Sequence, residues 1–399
     1  TSALATTTTS GADTIVSFPR SYLTSTSGWT VPANVTTAGV LVVGGGGGGS
    51  GNFTGDLTAS SGSGGGGGVL SLTGLALPSS VSITVGAGGA GGTSSSSRSG
   101  AVGSQGGDSL FGSISAGGGG AGGCDSTTDN GTACGSGLIH GRNGTAAGSG
   151  GSPSNFYNAY NFGSPGTASS ETFNGQTINA VSGFRGGFYN DGGTSSSGSS
   201  GSGGGAGGAG DYNTPGSGVT SSITGSTYGL GGKSYGATDF SNAPSAANSG
   251  NGGSGAFASS ATSGAAGGSG VVVVRYTTPV VPATVQNLSV ATRLVDAGTG
   301  TDSVTLNWDA LTGQTPAVTS YEIEYSTASN YASFTTQSVA VTNASAATPN
   351  TATISGLTDG ATYYFRIKAR NAVDDSASYA ETSSVAVSNA DYAVELTSS

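Results

Sequence analysis

Few side chains in this sequence have the capacity for chemistry. Cys124 and Cys134 fall within GGCDSTTDNGTACGSG, close enough to close one small disulfide loop. A disulfide is the expected state, with free thiols as the alternative. A zinc site built from Cys124, Cys134 and His140 would still lack a ligand, because His140 is the only histidine. The same loop offers Asp125, Asp129 and Asn130 as oxygen ligands for calcium. It lacks the alternating ligand series of a calcium loop, so a polar turn is expected and no metal.

Nucleophilic catalysis has little to draw on. Serines abound, but His140 is the one imidazole base, and it lies in the turn HGRNG, where a solvated loop residue is the expected role. Glu171 is the only Glu before Glu322, and nothing marks a partner carboxylate at a set separation for glycoside hydrolysis. YGLGGKSYG contains Gly232, Lys233 and Ser234, but Thr227 occupies the position where a phosphate-binding loop needs its first Gly, and no strand-to-helix context surrounds it. The GxGxxG matches arise from composition and open no helix. We therefore expect no enzyme, no catalytic residue and no cofactor.

The aromatic segments are better candidates for recognition. PSNFYNAYNFGSPG supplies Phe156, Tyr157, Tyr160 and Phe162, SGFRGGFYNDGG supplies Phe184, Arg185, Phe188, Tyr189 and Asp191, and Tyr212, Tyr228, Tyr235 and Phe240 continue the pattern. Tyr among Ser, Gly and Asn offers large amphipathic area at low entropic cost, while the small polar residues adapt, and aromatic faces beside Asn and Asp suit sugar rings. Two readings stand. The aromatics seal a glycine-rich core that has no side chains of its own, or some of Phe156, Tyr157, Tyr160, Phe188, Tyr189 and Tyr212 contact a ligand.

These residues are carried by an unusual chain. Of 399 residues 78 are Gly, 8% are charged and none is Met. So much Gly raises the backbone entropy lost on folding and argues against long helices and a Leu-rich core. All but five of the glycines precede Pro279, so the chain is two proteins in one. Collagen is excluded, since no Gly-X-Y period exists and only 11 Pro accompany the Gly. No stretch approaches the roughly 20 apolar residues of a membrane span, so no membrane insertion is expected. The glycine-rich part carries six Arg or Lys against nine Asp or Glu, and the rest four against eleven. Neither part has a basic patch, so nucleic acid is not an expected partner. Disordered acidic chains avoid aromatics, whereas this one has 15 Tyr and 12 Phe, and a folded chain is expected. From the absence of Met and the start at Thr1, a processed product or a fragment is expected, with secretion the preferred explanation.

Four segments are delimited: a Thr/Ser-rich arm and first strand over 1–27, a glycine-rich domain over 28–276, a Pro-containing linker over 277–284 and a C-terminal domain over 285–399. The arm, TSALATTTTSGADTI, reads as a surface strand, a linker or a segment donated to a neighbour. Short apolar strands are expected at Val40–Val43, Val69–Leu72, Val81–Val85 and Val271–Val274, the continuous runs being of the kind buried on both faces. Between them lie runs such as Gly64–Gly68, Gly117–Gly120 and Gly203–Gly210. A Gly run buries no side chain, yet its backbone groups must be paired if it is ordered. Extended left-handed helices with three residues per turn, packed side by side, satisfy that demand, and flexible linkers are the alternative. The fold class expected is all-β, with short strands plus packed polyglycine-II-type helices in the first module.

The series GWTVPANVTTAGVLVVGGGGGG, SITVGAGGAGG, DSLFGSISAGGGGAGG and SGVVVVRY resembles the glycine-rich domain of bacterial surface proteins and phage tail-fibre or adhesin proteins. The resemblance runs over roughly residues 28–276. It implies a glycine-helix sandwich exposed outside the cell or on a virion, variable loops at one end for receptor binding, and no catalytic residues.

Beyond TTPVVPATVQNL, the segments SVTLNWDA, SYEIEYSTA, TATISGL and TYYFRIKARNAV alternate as β-sandwich strands do. They resemble a fibronectin type III domain. The resemblance implies a core role for Trp308, places Tyr363 at the tyrosine corner after Leu357, and points Tyr363, Phe365, Ile367 and Ala369 inward. Trp29, Trp308, Leu357 and Tyr363 are thus the expected structural core residues. No RGD tripeptide occurs. Six N-x-S/T sequons, at Asn34, Asn52, Asn130, Asn143, Asn287 and Asn343, are of the number that so much Ser, Thr and Asn produces by chance.

The expected function is that of a non-enzymatic, extracellular structural or adhesive protein on a cell or virion surface, self-associating into a fibre or layer. The alternative is a receptor-binding adhesin of a phage tail fibre that recognises a host-surface glycan or protein through the Tyr/Asn-rich loops.

Overall fold

Strands form where β-branched residues run together, and the longest run, VVVVRYT, organises the first half of the molecule. The structure is a computed structural model that describes residues 5–20, 28–51, 61–93, 102–123, 169–179, 201–211, 214–233, 243–256, 263–294, 301–342 and 348–387. No helix occurs among the described residues. The chain divides into two units, Thr1–Thr277 and Thr278–Ser399.

The first unit contains β1 (Thr6–Ser10), β2 (Asp13–Pro19), β3 (Trp29–Thr30), β4 (Thr37–Val43), β5 (Val69–Ala76), β6 (Ser80–Val81), β7 (Ile83–Thr84), β8 (Ser109–Phe111), β9 (Ile114–Ala116), β10 (Glu171–Phe173), β11 (Gln176–Ile178), β12 (Val219–Thr220), β13 (Thr227–Tyr228) and β14 (Val271–Thr277). An antiparallel sheet runs in the order β1-β2-β14-β4-β5. β14 sits inside it, with Val272 opposite Phe18 on one side and Val42 on the other. Even-numbered Val272 and Val274 join Val16, Phe18, Val40, Val42 and Phe111 in the larger apolar cluster. Odd-numbered Val271 and Val273 join Leu41, Val43, Val69 and Ile223 in a smaller one on the other face. Both faces of the Val run are covered, which is why it does not alternate with polar residues.

The Thr-rich arm folds into the β1-β2 hairpin. Its two-residue loop starts at Gly11, whose φ of +62° is the conformation a type II′ turn asks of its first residue. β2 is an interior strand with alternating burial, so the sheet extends well N-terminal of residue 28. The single strand expected over Val81–Val85 is two short strands, because Val81 pairs with Trp29 while Ile83 pairs with Phe111, and the chain changes partner at Ser82.

Beyond the sheet, the Gly runs bond to one another with a three-residue period. From the segment following β4, Gly44, Gly47 and Ser50 donate to Gly68, Gly65 and Gly62; Gly45 and Gly48 donate to Gly107 and Ser104; Gly46 and Gly49 donate to Gly268 and Ala265. Its carbonyls accept with the same period: Gly45 and Gly48 from Gly119 and Gly122, Gly46 and Gly49 from Gly89 and Gly92, Gly47 and Ser50 from Gly253 and Ala256. Residues 44–50 are fully surrounded by six other backbone segments, and all of them are buried. Gly is required by close approach: a Cβ on Gly47 would overlap the Gly120 carbonyl oxygen, and one on Gly48 that of Ala90.

The second unit contains β15 (Ser289–Leu294), β16 (Thr301–Trp308), β17 (Ser320–Ser326), β18 (Thr335–Ala340), β19 (Asn350–Thr358), β20 (Thr362–Arg370), β21 (Ala380–Glu381) and β22 (Val385–Ala386). They form sheets in the orders β15-β16-β19 and β18-β17-β20-β21, with β22 also on β20. Here packing is conventional. Alternate residues Tyr363, Phe365, Ile367 and Ala369 of β20 face Val304, Leu306, Trp308, Ile323, Ile354 and Leu357 in one buried cluster.

Candidate functional surfaces

The glycine lattice has two distinct ends. Gly44, Gly68, Gly117 and Gly270 follow or precede strands of the sheet or of its β7-β8-β9 neighbour. At the far end, Ser61 donates to Ala256, Gly62 to Gly123, Ala256 to Ser50 and Gly264 to Gly92. Ser63 Oγ donates to the Lys233 carbonyl at 2.7 Å there and accepts from the Gly255 N–H at 3.2 Å. The described residues on both sides of 52–60, 94–101 and 257–262, together with Gly123 and Lys233, therefore lie at one end of the lattice, whereas the residues that follow 124–168 form β10 against β9. Ser50, Ser61 and Ser63 are fully buried at that end, and their hydroxyls bond to backbone groups, which makes burial tolerable.

A second feature sits on the sheet of the first unit. Arg275 Nε donates to Asp13 Oδ2 at 2.8 Å, and Thr277 Oγ1 donates to Asp13 Oδ1 at 3.1 Å. The hydrogen bond from Arg275 holds the Asp13 carboxyl below the usual carboxylate range, against a smaller opposing effect of burial. This pair rims an open depression of about 310 Å³ that also takes in Gly39, Ser222, Ile223 and Tyr276. It is shallow, and the lowered Asp13 carboxylate is a poor base for the Thr277 hydroxyl beside it.

The densest side-chain chemistry lies on the β17-β20 sheet of the second unit. Glu324 and Arg366 are direct cross-strand partners, and Arg366 Nε donates to Glu324 Oε2 at 2.6 Å. The guanidinium carbon lies 4.0 Å from the ring centres of both Tyr331 and Tyr379 and 5.5 Å from that of Phe334. Tyr379 Oη donates to Glu324 Oε1 at 2.9 Å, and Lys368 Nζ lies 4.4 Å over the Tyr379 ring. Burial, followed by the Glu381 charge, pushes the Tyr331 hydroxyl up to about 12. Burial and the Glu324 bond also raise Tyr379. This cluster was missed at the level of sequence. Its signal was the outward Glu324 of SYEIEYS set against the outward Arg366 of TYYFRIKAR, legible only once the register is known.

Trp29 is half-buried and packs edge-on against Phe18, with ring centroids 5.9 Å apart. Trp308, Leu357 and Tyr363 lie in the core of the second unit, and the Tyr363 hydroxyl accepts the Thr358 N–H at 3.2 Å. Cys124, Cys134, Asp125, Asp129, His140, Phe156, Tyr157, Tyr160, Phe188, Tyr189 and Tyr212 lie outside the described residues. Among the described residues, no group of three His, Cys, Asp or Glu side chains could hold a metal ion.

A glycine-rich domain family model matches residues 22–277, and a fibronectin type III domain model matches residues 285–385. The chain belongs to the glycine-rich domain family, with a fibronectin type III domain following in the order read from the sequence. Comparison with curated proteins gives no match. A type III domain is typically non-catalytic, and the two domains together are compatible with a structural or adhesive protein.

Proposed function

We propose that the chain is a non-enzymatic extracellular structural or adhesive protein, a self-associating subunit of a surface fibre or layer, whose glycine segments are packed polyglycine-II-type helices. The three-residue hydrogen-bond period around residues 44–50 carries the reading. A left-handed helix with three residues per turn makes no internal hydrogen bonds, so its backbone groups point outward in three directions, and only glycine lets such helices approach closely. The resulting block is held by backbone bonds, presents almost no charge and suits an inert exterior material. Imaging the native particle tests the role: a regular fibre or layer bearing the chain is expected, and a dispersed monomeric protein overturns it. Amide hydrogen exchange tests the helices. Gly45–Gly49 should exchange as slowly as the β14 amides despite lying in no strand, and rapid exchange overturns the lattice.

A second reading, a receptor-binding adhesin, is favoured by the place of Gly123 at the far lattice end, immediately before the segment 124–168 that contains Phe156, Tyr157 and Tyr160. Replacing Tyr157, Tyr160, Phe188 and Tyr189 with Ser should then abolish binding to host-surface glycan or protein without unfolding the chain. Unchanged binding removes these residues from the reading.

A further inference from the structure

The two edges of the five-stranded sheet are treated differently. On β5, the Ala76 N–H donates to Gln176 Oε1 at 2.7 Å, Asn174 Nδ2 donates to the Ala76 carbonyl at 3.2 Å, and Ser71 Oγ lies 3.2 Å from that of Ser221. Side chains of the β10-β11 hairpin thus close part of that edge. On β1 all five residues are exposed, the register is unbroken by a bulge, and TTTTS contains no charge and no Pro. A bulge, a charge or a Pro guards such an edge in soluble proteins, and β1 has none of these three. Among the described residues none pairs with its outer side.

The hairpin register fixes what that side presents. Ser10 and Asp13 flank a two-residue loop and so form a hydrogen-bonded pair, and pairing alternates from there. Thr6, Thr8 and Ser10 bond inward to β2. Thr7 and Thr9 turn their N–H and C=O groups outward.

We propose that β1 pairs antiparallel with β1 of a second copy of this chain about a two-fold axis at Thr8, joining the two sheets into one. In that register Thr7 exchanges both backbone bonds with Thr9 of the second copy and the reverse, Thr8 faces Thr8, and Thr6 faces Ser10. Each outward donor meets an acceptor, no like charges face each other, and Thr–Thr pairs are favourable cross-strand neighbours. Such a contact is isologous and saturates at two copies, so it makes a dimer rather than a filament. The inference rests on the self-association reading and names one interface within it.

The full chain is the material for the test, by sedimentation over a wide concentration range. Thr9→Pro removes an outward donor while leaving the inward ladder to β2 intact. It loses one bond per copy, and association should weaken about thirtyfold. Thr8→Cys places two sulfurs across a non-hydrogen-bonded pair with Cα atoms about 4.5 Å apart, within reach of a disulfide. Mild oxidation should give a covalent dimer that the parent chain, with its own two cysteines, and a Thr6→Cys variant do not. If Thr9→Pro fails to fold, as read from Trp29 fluorescence, the cysteine result decides alone. A wild-type chain that associates while Thr8→Cys gives no more covalent dimer than its parent overturns the edge pairing and leaves the surface-subunit reading intact. A chain monomeric at every concentration overturns the pairing, and absence of a fibre or layer on the native particle then removes the wider reading too.

Discussion

Gly47→Ala isolates what the glycine lattice contributes. The Cβ would overlap the Gly120 carbonyl oxygen, a backbone atom with no rotamer to change. Restoring a van der Waals contact requires segments 44–51 and 117–123 to separate by more than ~1 Å. The bonds joining those segments are Gly119 N–H to the Gly45 carbonyl at 2.8 Å and Gly122 N–H to the Gly48 carbonyl at 2.9 Å. A further ~1 Å takes both beyond hydrogen-bonding range. Each leaves buried groups unpaired at about 1–3 kcal/mol, so the change should cost about 4 kcal/mol. That is a large part of the 5–15 kcal/mol or so by which domains are stable. Gly225→Ala is the matched control. Its φ is +74° and nothing lies near the added carbon, so only the left-handed conformation is penalised, at about 1–2 kcal/mol. Trp29 is the one Trp of the first unit, so urea unfolding followed by its fluorescence in a Trp308→Phe background reads that unit alone. Equal destabilisation by the two substitutions, or a Gly47→Ala midpoint at the parent's value, refutes backbone-to-backbone packing as the source of stability.

Arg366→Met leaves the buried Glu324 carboxylate without its cation and should destabilise the second unit by about 3–5 kcal/mol, read by Trp308 fluorescence; adding Glu324→Gln should recover much of the loss. Tyr331 titrates near 12 when folded against 10.0 unfolded, so its contribution is complete below pH 10.0 and is lost as the pH rises toward 12. Tyr331→Phe should flatten that alkaline dependence, as measured by unfolding midpoints against pH. Asp13 is lowered from 3.8, so its contribution is present above that value and disappears as the pH falls through the folded value. Asp13→Asn should remove that part of the acid sensitivity of the first unit and leave the second unit unchanged.

What could be read in advance depended on whether side chains or backbone made the contacts. The type III strands announce themselves because inward Phe365 and Ile367 alternate with outward Arg366 and Lys368. The Val271–Val274 run was equally plain, as a strand covered on both faces must be. The arm was ambiguous because four threonines carry no alternation. Only the pairing of Val16 and Phe18 against β14 makes Asp13–Pro19 an interior strand. The Arg366 cluster stayed hidden because its parts come from β17, β20 and the segments around Tyr331 and Tyr379, and no local pattern joins them. In the glycine segments each contact is made by groups every residue possesses, so residue type shows only where a side chain is forbidden.

That prohibition is itself informative when it has a period. The segment GAGGAGGT after β7 places Ala87, Ala90 and Thr93 three residues apart, and Ala90 and Thr93 are exposed while Ala87 is half-buried. At this border of the lattice every third residue faces solvent and accepts a side chain, and the two between face neighbours. Segment 44–49 has neighbours on every side and is unbroken Gly. Interruption at every third residue thus marks a border segment, and an uninterrupted run marks an interior one. Ala90→Ser should change stability by less than about 0.5 kcal/mol, as surface replacements do. Gly89→Ala, one residue away, would drive a Cβ into the Ser104 carbonyl oxygen and should cost several-fold more. Trp29-monitored unfolding of the pair decides it, and equal effects from neighbouring positions would mean that the three-residue period carries no information about depth.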